Sequence, residues 1–220
     1  MRGEANRTDL ITILGPTATG KTALAAALAA ELGSEVISAD SRQVYRGMTI
    51  GTGKDYRDYV VQGKTVPCHL IDIVPAGSEY NLFEYQRDFL KAYEAIRSKG
   101  RMPILCGGSG LYLAAVLKGY RMVSVPVNPE LRAALSRKSD LELKGILEGM
   151  KSLHNVTDTA TRKRLERAIE IALYERDHPL DPSFPQIRSL NFGIHFERAV
   201  IRERITQRLK DRLEEGMKNK

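Results

Sequence analysis

Cysteine is scarce, and the two present, Cys68 and Cys106, lie far apart with no C-x-x-C spacing. That argues against a disulfide framework or a zinc site and leaves reduced thiols in a cytoplasmic protein as the expectation. Long apolar runs are also missing. No stretch reaches the roughly 18 residues a membrane helix needs. The opening MRGEANRTDLITILGP holds a single short apolar run beside an acidic residue, so neither secretion nor membrane insertion is expected. Internal repeats and low-complexity segments are absent too. With 42% hydrophobic and 28% charged residues in 220, the composition is that of an ordered chain with one substantial core and room for a small appended domain.

Acidic residues fall short in one half only. Residues 1–110 carry 13 Lys and Arg against 12 Asp and Glu, and residues 111–220 carry 21 against 15, within a formal charge of +7. An anionic macromolecule such as nucleic acid suits the second half, although solvated basic helices that bind nothing are as common.

What is present is an alternation of short apolar runs and helical patterns. DLITILG (9–15) reads as a strand, and KTALAAALAAELG as a helix of strong formers stopped by Gly33. EVIS (35–38), HLIDIV (69–74) and PILCGG (103–108) read as further buried strands. Between the last two, LFEYQRDFLKAYEAIRSKG (82–100) spaces Phe83, Phe89, Ala92, Tyr93 and Ile96 for a helix. This order indicates a parallel α/β sheet. After about residue 126 helix follows helix: SDLELKGILEGMK opens with Ser139 and Glu142 at capping-box spacing, and TRKRLERAIEIALYERD (161–177) stops at His178-Pro179. PLDPSFPQIRS reads as a return linker and LNFGIHF as one more strand. A last helix places Ile201, Ile205, Leu209, Leu213 and Met217 on one stripe, expected to face the core.

Three loops after strands carry the chemistry. GPTATGKT matches G-x-x-x-x-G-K-[ST] through Gly15, Gly20, Lys21 and Thr22. Glycines allow successive backbone N–H groups to face phosphate oxygens, the lysine adds charge, and the threonine hydroxyl can ligate Mg2+. The second loop, SADSRQVYRGMTIGTGK (38–54), contains Asp40, which can cap its turn or serve as a general base or metal partner. The third, GGSGLYL (107–113), suits a tight strand-to-helix turn. All three are expected at one crevice, at the carboxyl ends of the strands. Beyond HLIDIV there is no apolar run ending in Asp at NTPase spacing, and no guanine-reading motif, which weakens an ordinary NTPase reading.

The segments GPTATGKT, ISADSRQVYRGMTIGTGK, HLIDIVPAGSEYN, PILCGGSGLYL and RKRLERAIE resemble, in order, those of the tRNA dimethylallyltransferases, also called tRNA isopentenyltransferases. The resemblance covers most of residues 10–215. It implies a P-loop NTPase-like parallel sheet flanked by helices, an α/β core of residues 1–125 and 189–220, and a small helical insertion with return linker, 126–188, for tRNA contact. It implies transfer of a dimethylallyl group from dimethylallyl diphosphate to N6 of the adenosine 3′ to the anticodon. The loop Gly15, Pro16, Thr17, Ala18, Thr19, Gly20, Lys21 and Thr22 would then hold diphosphate, with Mg2+ on Thr22. Asp40 matches the general base, Thr17 a residue near the reacting groups, and Arg198 an arginine that reaches the diphosphate. Asp40, Ser41, Arg42 and Gln43 match the base-reading segment, and Ser109 stands where the family has a threonine that contacts RNA. Arg132, Lys163, Arg164, Leu165, Glu166 and Arg167 match tRNA-contact positions. A cytoplasmic monomer acting on tRNA, without a membrane, is the expectation.

The sequence departs from the family pattern at Cys68-His69, where two histidines are usual, at GTGKD for GTAKP, in a shorter insertion, and at EEGMKNK, where relatives continue into further helices. A compact member, a truncation and a fragment are all open. Two other functions stay open as well: an adenylate isopentenyltransferase of cytokinin synthesis, and a P-loop kinase or NTPase.

Overall fold

In a computed structural model the described residues are 8–49, 52–150, 159–178 and 184–214. The chain folds into two compact units, one of residues 1–120 with 185–220 and one of residues 121–184.

The first unit begins with β1 (Leu10–Leu14), whose β-branched residues suit a buried strand, followed by α1 (Lys21–Glu31) and β2 (Val36–Ala39). A short 3-10 turn, Tyr56–Tyr59, leads to a small antiparallel ribbon of β3 (Val60–Val61) and β4 (Lys64–Thr65), and then to β5 (Cys68–His69). Next come α2 (Leu82–Ser98), β6 (Ile104–Gly107) and α3 (Gly110–Leu117). The unit is completed by β7 (Ser189–Gly193) and α7 (Arg198–Glu214). The main sheet has the order β5-β2-β6-β1-β7, with every pairing parallel. Leu14 is level with both Gly107 and Gly193, and Ala39 with Gly107, so four strands end together at one edge.

Small residues on α1 let it lie close to the sheet: Ala25, Ala26 and Ala29 pack with Ile13, Val36, Ile104 and Cys106. Helix α2 buries Tyr85, Phe89, Ala92 and Ile96, and Asn81 and Glu84 form a capping box at its start. Gly107 is required by the closeness of β2 and β6, since a Cβ there would sit 2.2 Å from the Ala39 carbonyl oxygen. Gly107→Ala is therefore expected to force the strands apart and lower Tm by roughly 5–10 °C, measured by thermal unfolding.

At the opposite edge of the sheet the buried Glu35 carboxylate accepts from Lys99 Nζ at 2.7 Å and Arg101 Nη1 at 2.7 Å, and pairs with His69 Nε2 at 2.7 Å. Burial pushes this carboxyl up, but the hydrogen bonds from Lys99 and His69 outweigh it and bring the pKa from 4.5 down to about 2. A depressed folded pKa contributes stability above the unfolded value, about 3 kcal/mol here, and that contribution disappears as pH falls from 4.5 towards 2. Denaturant unfolding of Glu35→Gln is expected to show a smaller loss of stability across that window than the unchanged chain.

The second unit is helical: α4 (Pro129–Ser136), α5 (Asp140–Met150) and α6 (Arg162–Asp177). Its core is Leu135, Leu143, Leu147, Leu165, Ala168 and Ile169. The capping box read at Ser139 and Glu142 is formed, with Ser139 N donating to Glu142 Oε2 at 2.7 Å and Glu142 N to Ser139 Oγ at 3.3 Å.

Two expectations need correction. HLIDIV is not a six-residue strand: only Cys68 and His69 pair with β2, because Leu70 and Asp72 adopt φ of 64° and 55° and turn the chain. The stripe on α7 is not core, since none of that helix is buried and Ile205, Leu209 and Leu213 are exposed. Met217 and residues 179–183 of the return linker lie outside the described residues, as do 50–51 of the second loop.

Candidate active site

The loop after β1 enters α1 through Gly20 at φ 80°, with no side chain capping the helix and no acidic residue in its first turn. The first N–H groups of α1 are thus left for an anion, in the positive field of the helix terminus. Thr19 Oγ1 and Lys21 Nζ both donate to the Pro16 carbonyl, at 2.9 and 3.0 Å, which shapes the loop and parks the ammonium over it. Burial lowers the Lys21 pKa, while Cys106 and Asp40 nearby act to raise it. Burial also pushes the Cys106 thiol up to about 12, against the pull of Lys21 and Thr22, so it stays protonated.

The second loop is tied to the third. Ser41 N donates to Ser109 Oγ at 2.9 Å, Ser109 N donates to the Ala39 carbonyl at 3.1 Å, and Arg42 N donates to Asp40 Oδ1 at 2.9 Å. Asp40 therefore caps its turn with one oxygen and stays half-buried at the strand end. Gln43 is held on both sides of its amide: Ser38 Oγ donates to Oε1 at 3.2 Å, and Nε2 donates to the Gly53 carbonyl at 3.3 Å.

These loops surround a crevice of about 520 Å³. Gly15, Pro16, Thr17, Lys21 and Thr22 line it from the first loop, Asp40, Ser41, Arg42 and Gln43 from the second, and Gly107, Gly108 and Ser109 from the third. The three loops thus meet in one place, as their positions after parallel strands require. Ala18, Thr19 and Gly20 shape the phosphate loop, with Ala18 at φ 62°.

Arg198 is not brought to this crevice. It is exposed at the start of α7, ten residues and so about 15 Å of helix before Arg208. The cationic side chains that α7 does supply are Arg208 and Arg212, accompanied by Ile205 and Leu209. Sequence reading missed the two arginines and assigned Ile205 and Leu209 to the core. Their spacing of three and four residues marks one helical face, and arginines within an apolar stripe are the signal that this face lines a polar site. Thr52, Gly53 and Tyr59 also line the crevice.

In the second unit the family-matched positions divide by environment. Leu165 is buried in the helical core, so its side chain is taken up by packing rather than offered to RNA. Arg132 Nη2 donates to Glu170 Oε2 at 3.0 Å, and Arg167 donates to the same carboxylate and, at 2.7 Å, to the Val125 carbonyl. Burial raises the Glu170 pKa, but bonds from Arg132, the Asn128 N–H and Arg167 outweigh it, so the carboxylate stays charged and organises both arginines. Glu166 pairs with Arg162 at 3.0 Å. Lys163 and Arg164 are exposed.

The family described as IPP transferase matches residues 43–219, and that described as isopentenyl transferase matches residues 8–70. The chain is 60% identical over 210 residues to tRNA dimethylallyltransferase 2 of Bacteroides fragilis, covering 95% of this chain and 69% of the relative. It is 58% identical over 212 residues to tRNA dimethylallyltransferase 2 of Phocaeicola vulgatus, covering 96% and 69%. Among solved structures it is similar to the full-length tRNA isopentenylpyrophosphate transferase of Bacillus halodurans, with TM-score 0.63, 31% identity, and coverage of 96% of this chain and 67% of the other. The fold also matches a eukaryotic dimethylallyltransferase, with TM-score 0.76, 22% identity, and coverage of 96% and 54%. On sequence and fold together, the chain belongs to the IPP transferase family, that of the tRNA dimethylallyltransferases.

Proposed function

We propose that this protein transfers the dimethylallyl group of dimethylallyl diphosphate to N6 of the adenosine 3′ to the anticodon in tRNA and releases diphosphate. The observation that carries this reading is that the phosphate loop and Asp40 line one crevice, so a departing anion and an amine losing its proton can be served together.

N6 attacks the allylic carbon while the C–O bond breaks, and that bond's electron pair leaves on the diphosphate. The N–H groups opening α1, Lys21 and the guanidinium groups of Arg208 and Arg212 stabilise the growing negative charge. The adenine amine is a weak nucleophile because its lone pair is delocalised into the ring. Its proton passes to the Asp40 carboxylate, held in place by Arg42 N–H. Thr17, exposed at the crevice, lies on the side of the leaving group.

No cluster of three His, Cys, Asp or Glu able to cage a metal occurs among the described residues. That fits Mg2+, which keeps several waters and takes one or two protein ligands besides phosphate oxygens. The Thr22 hydroxyl, which lines the crevice, would hold it. When bound, the ion would neutralise charge on the diphosphate.

The helical unit, with Lys163 and Arg164 exposed, is the tRNA-contacting part in this reading. Arg42, Gln43 and Ser109 then meet the flipped base, whose unstacking costs a few kcal/mol that backbone contacts offset. The protein would act as a monomer in the cytoplasm, where tRNA is found; no described helix is long and apolar enough to cross a membrane.

The match of residues 8–70 to the isopentenyl transferase family supports a second reading, with free AMP or ADP as acceptor. A transfer assay with radiolabelled dimethylallyl diphosphate and Mg2+, offered unmodified tRNA and AMP in parallel, separates them. Label in tRNA is expected. Label in AMP alone would establish the second reading, and ATP hydrolysis without transfer would overturn both.

A further inference from the structure

The second loop continues to Lys54, whose side chain is fully buried although it bears a charge. Its ammonium donates to the Tyr45 carbonyl and to Asp72 Oδ1, and Tyr56 OH donates to Asp72 Oδ2. Burial would push the Asp72 carboxyl up, but the bonds from Lys54 and Tyr56 hold it below the ordinary value. Asp72 and Leu70 occupy the left-handed region, an arrangement that surrounding bonds must maintain. Those bonds are present: Asp72 N donates to the Gln43 carbonyl at 3.0 Å, Ile73 N to the Val44 carbonyl at 2.8 Å, and Arg46 Nε to the Asp72 carbonyl at 2.9 Å. The turn at 70–74 is thus laced to the base of the second loop.

A buried ion pair is a poor source of stability, because desolvation of two charges consumes most of the attraction. What it supplies is one fixed geometry. Lys54 directly follows Gly53, whose carbonyl accepts from Gln43 Nε2 at 3.3 Å and from Arg208 Nη2 at 3.4 Å. Thr52 and Gly53 are themselves a wall of the crevice.

We propose that Lys54 is a positioning residue: its buried pair with Asp72 fixes the Thr52–Gly53 wall, and the Gly53 carbonyl then orients the Arg208 guanidinium and the Gln43 amide towards the crevice. This rests on the proposed use of the crevice for diphosphate. Lys54 touches neither substrate, and its effect is transmitted through one carbonyl.

The test measures binding of inorganic diphosphate with Mg2+ by calorimetry, Tm, and steady-state transfer, in the unchanged chain and in Lys54→Met, Asp72→Asn and Lys21→Ala. Lys54→Met is expected to weaken diphosphate binding and raise the KM for dimethylallyl diphosphate about tenfold, a partial misplacement. Its kcat is expected to fall too, but by less than about tenfold, because Arg208 meets the charge that develops on the diphosphate while Asp40 and Lys21 keep their own supports. If Lys54→Met does not fold, Asp72→Asn, which retains an acceptor oxygen, serves in its place with the same direction of change. A lower Tm with unchanged diphosphate affinity and KM would overturn the proposal. Absence of diphosphate binding in the unchanged chain would overturn the crevice assignment as well, whereas binding weakened in Lys21→Ala but unaltered in both pair variants would overturn the positioning role alone.

Discussion

Replacing Asp40 with asparagine is expected to lower the transfer rate by roughly 10²–10⁴-fold, the range for removal of a positioned general base. Asparagine keeps the size of the side chain and an oxygen that can accept the Arg42 N–H at the same place, so the turn should persist. What disappears is the capacity to take a proton from N6. The loss should therefore fall on kcat in single-turnover measurements with dimethylallyl diphosphate bound, with Tm unchanged and diphosphate affinity close to that of the unchanged chain. A variant that keeps more than about a tenth of the rate would remove Asp40 from this role, since general-base contributions seldom fall that low. The competing explanation, that Asp40 only caps its turn, predicts that asparagine is harmless.

Replacing Lys21 with alanine is the second large effect, expected at about 10²–10³-fold in kcat, comparable to the loss of one preorganised donor to a developing oxyanion. The size follows from surroundings. Lys21 is half-buried, held at 3.0 Å from the Pro16 carbonyl, and its pKa is lowered by burial, so its charge acts in a poorly screened place. Two further cations, Arg208 and Arg212, face the same crevice, so some ground-state affinity for diphosphate should survive. The expected pattern is a kcat loss larger than the KM change, because charge on the leaving oxygens is greatest in the transition state. Arginine at position 21 should not restore activity: its planar fork is larger than an ammonium and cannot take the same place against the Pro16 carbonyl. Full rescue by Lys21→Arg would mean that the lysine contributes only net charge to the crevice.

The phosphate loop was readable because its signal is local. Glycines at 15 and 20, then Lys21 and Thr22, between a β-branched run and an alanine-rich run, determine strand, loop and helix within about twenty residues. The capping box at Ser139 and Glu142 was readable for the same reason: both partners lie within one helical turn. The meeting of three loops at one crevice also followed from sequence, since parallel strands joined by helices bring the loops after each strand to the same edge.

Other features depended on partners far away in the chain. The apolar period of α7 identifies a face, but a period does not say whether that face meets a core or an open crevice, and Ile205 and Leu209 turned out to line the crevice with Arg208 and Arg212. HLIDIV has the composition of a strand, yet of its residues only His69 joins the main sheet, beside Cys68, because Asp72 is drawn into contacts with Gln43, Arg46, Lys54 and Tyr56. Likewise the arginines at 132 and 167 match tRNA-contact positions in sequence, and only the fold shows that the buried Glu170 holds both. Sequence by itself determined what each short segment can do, because backbone preference and helix period act between near neighbours. Tertiary structure alone decided which charges are paired and which are left facing the crevice, because burial and ion pairing arise between residues that only folding brings together.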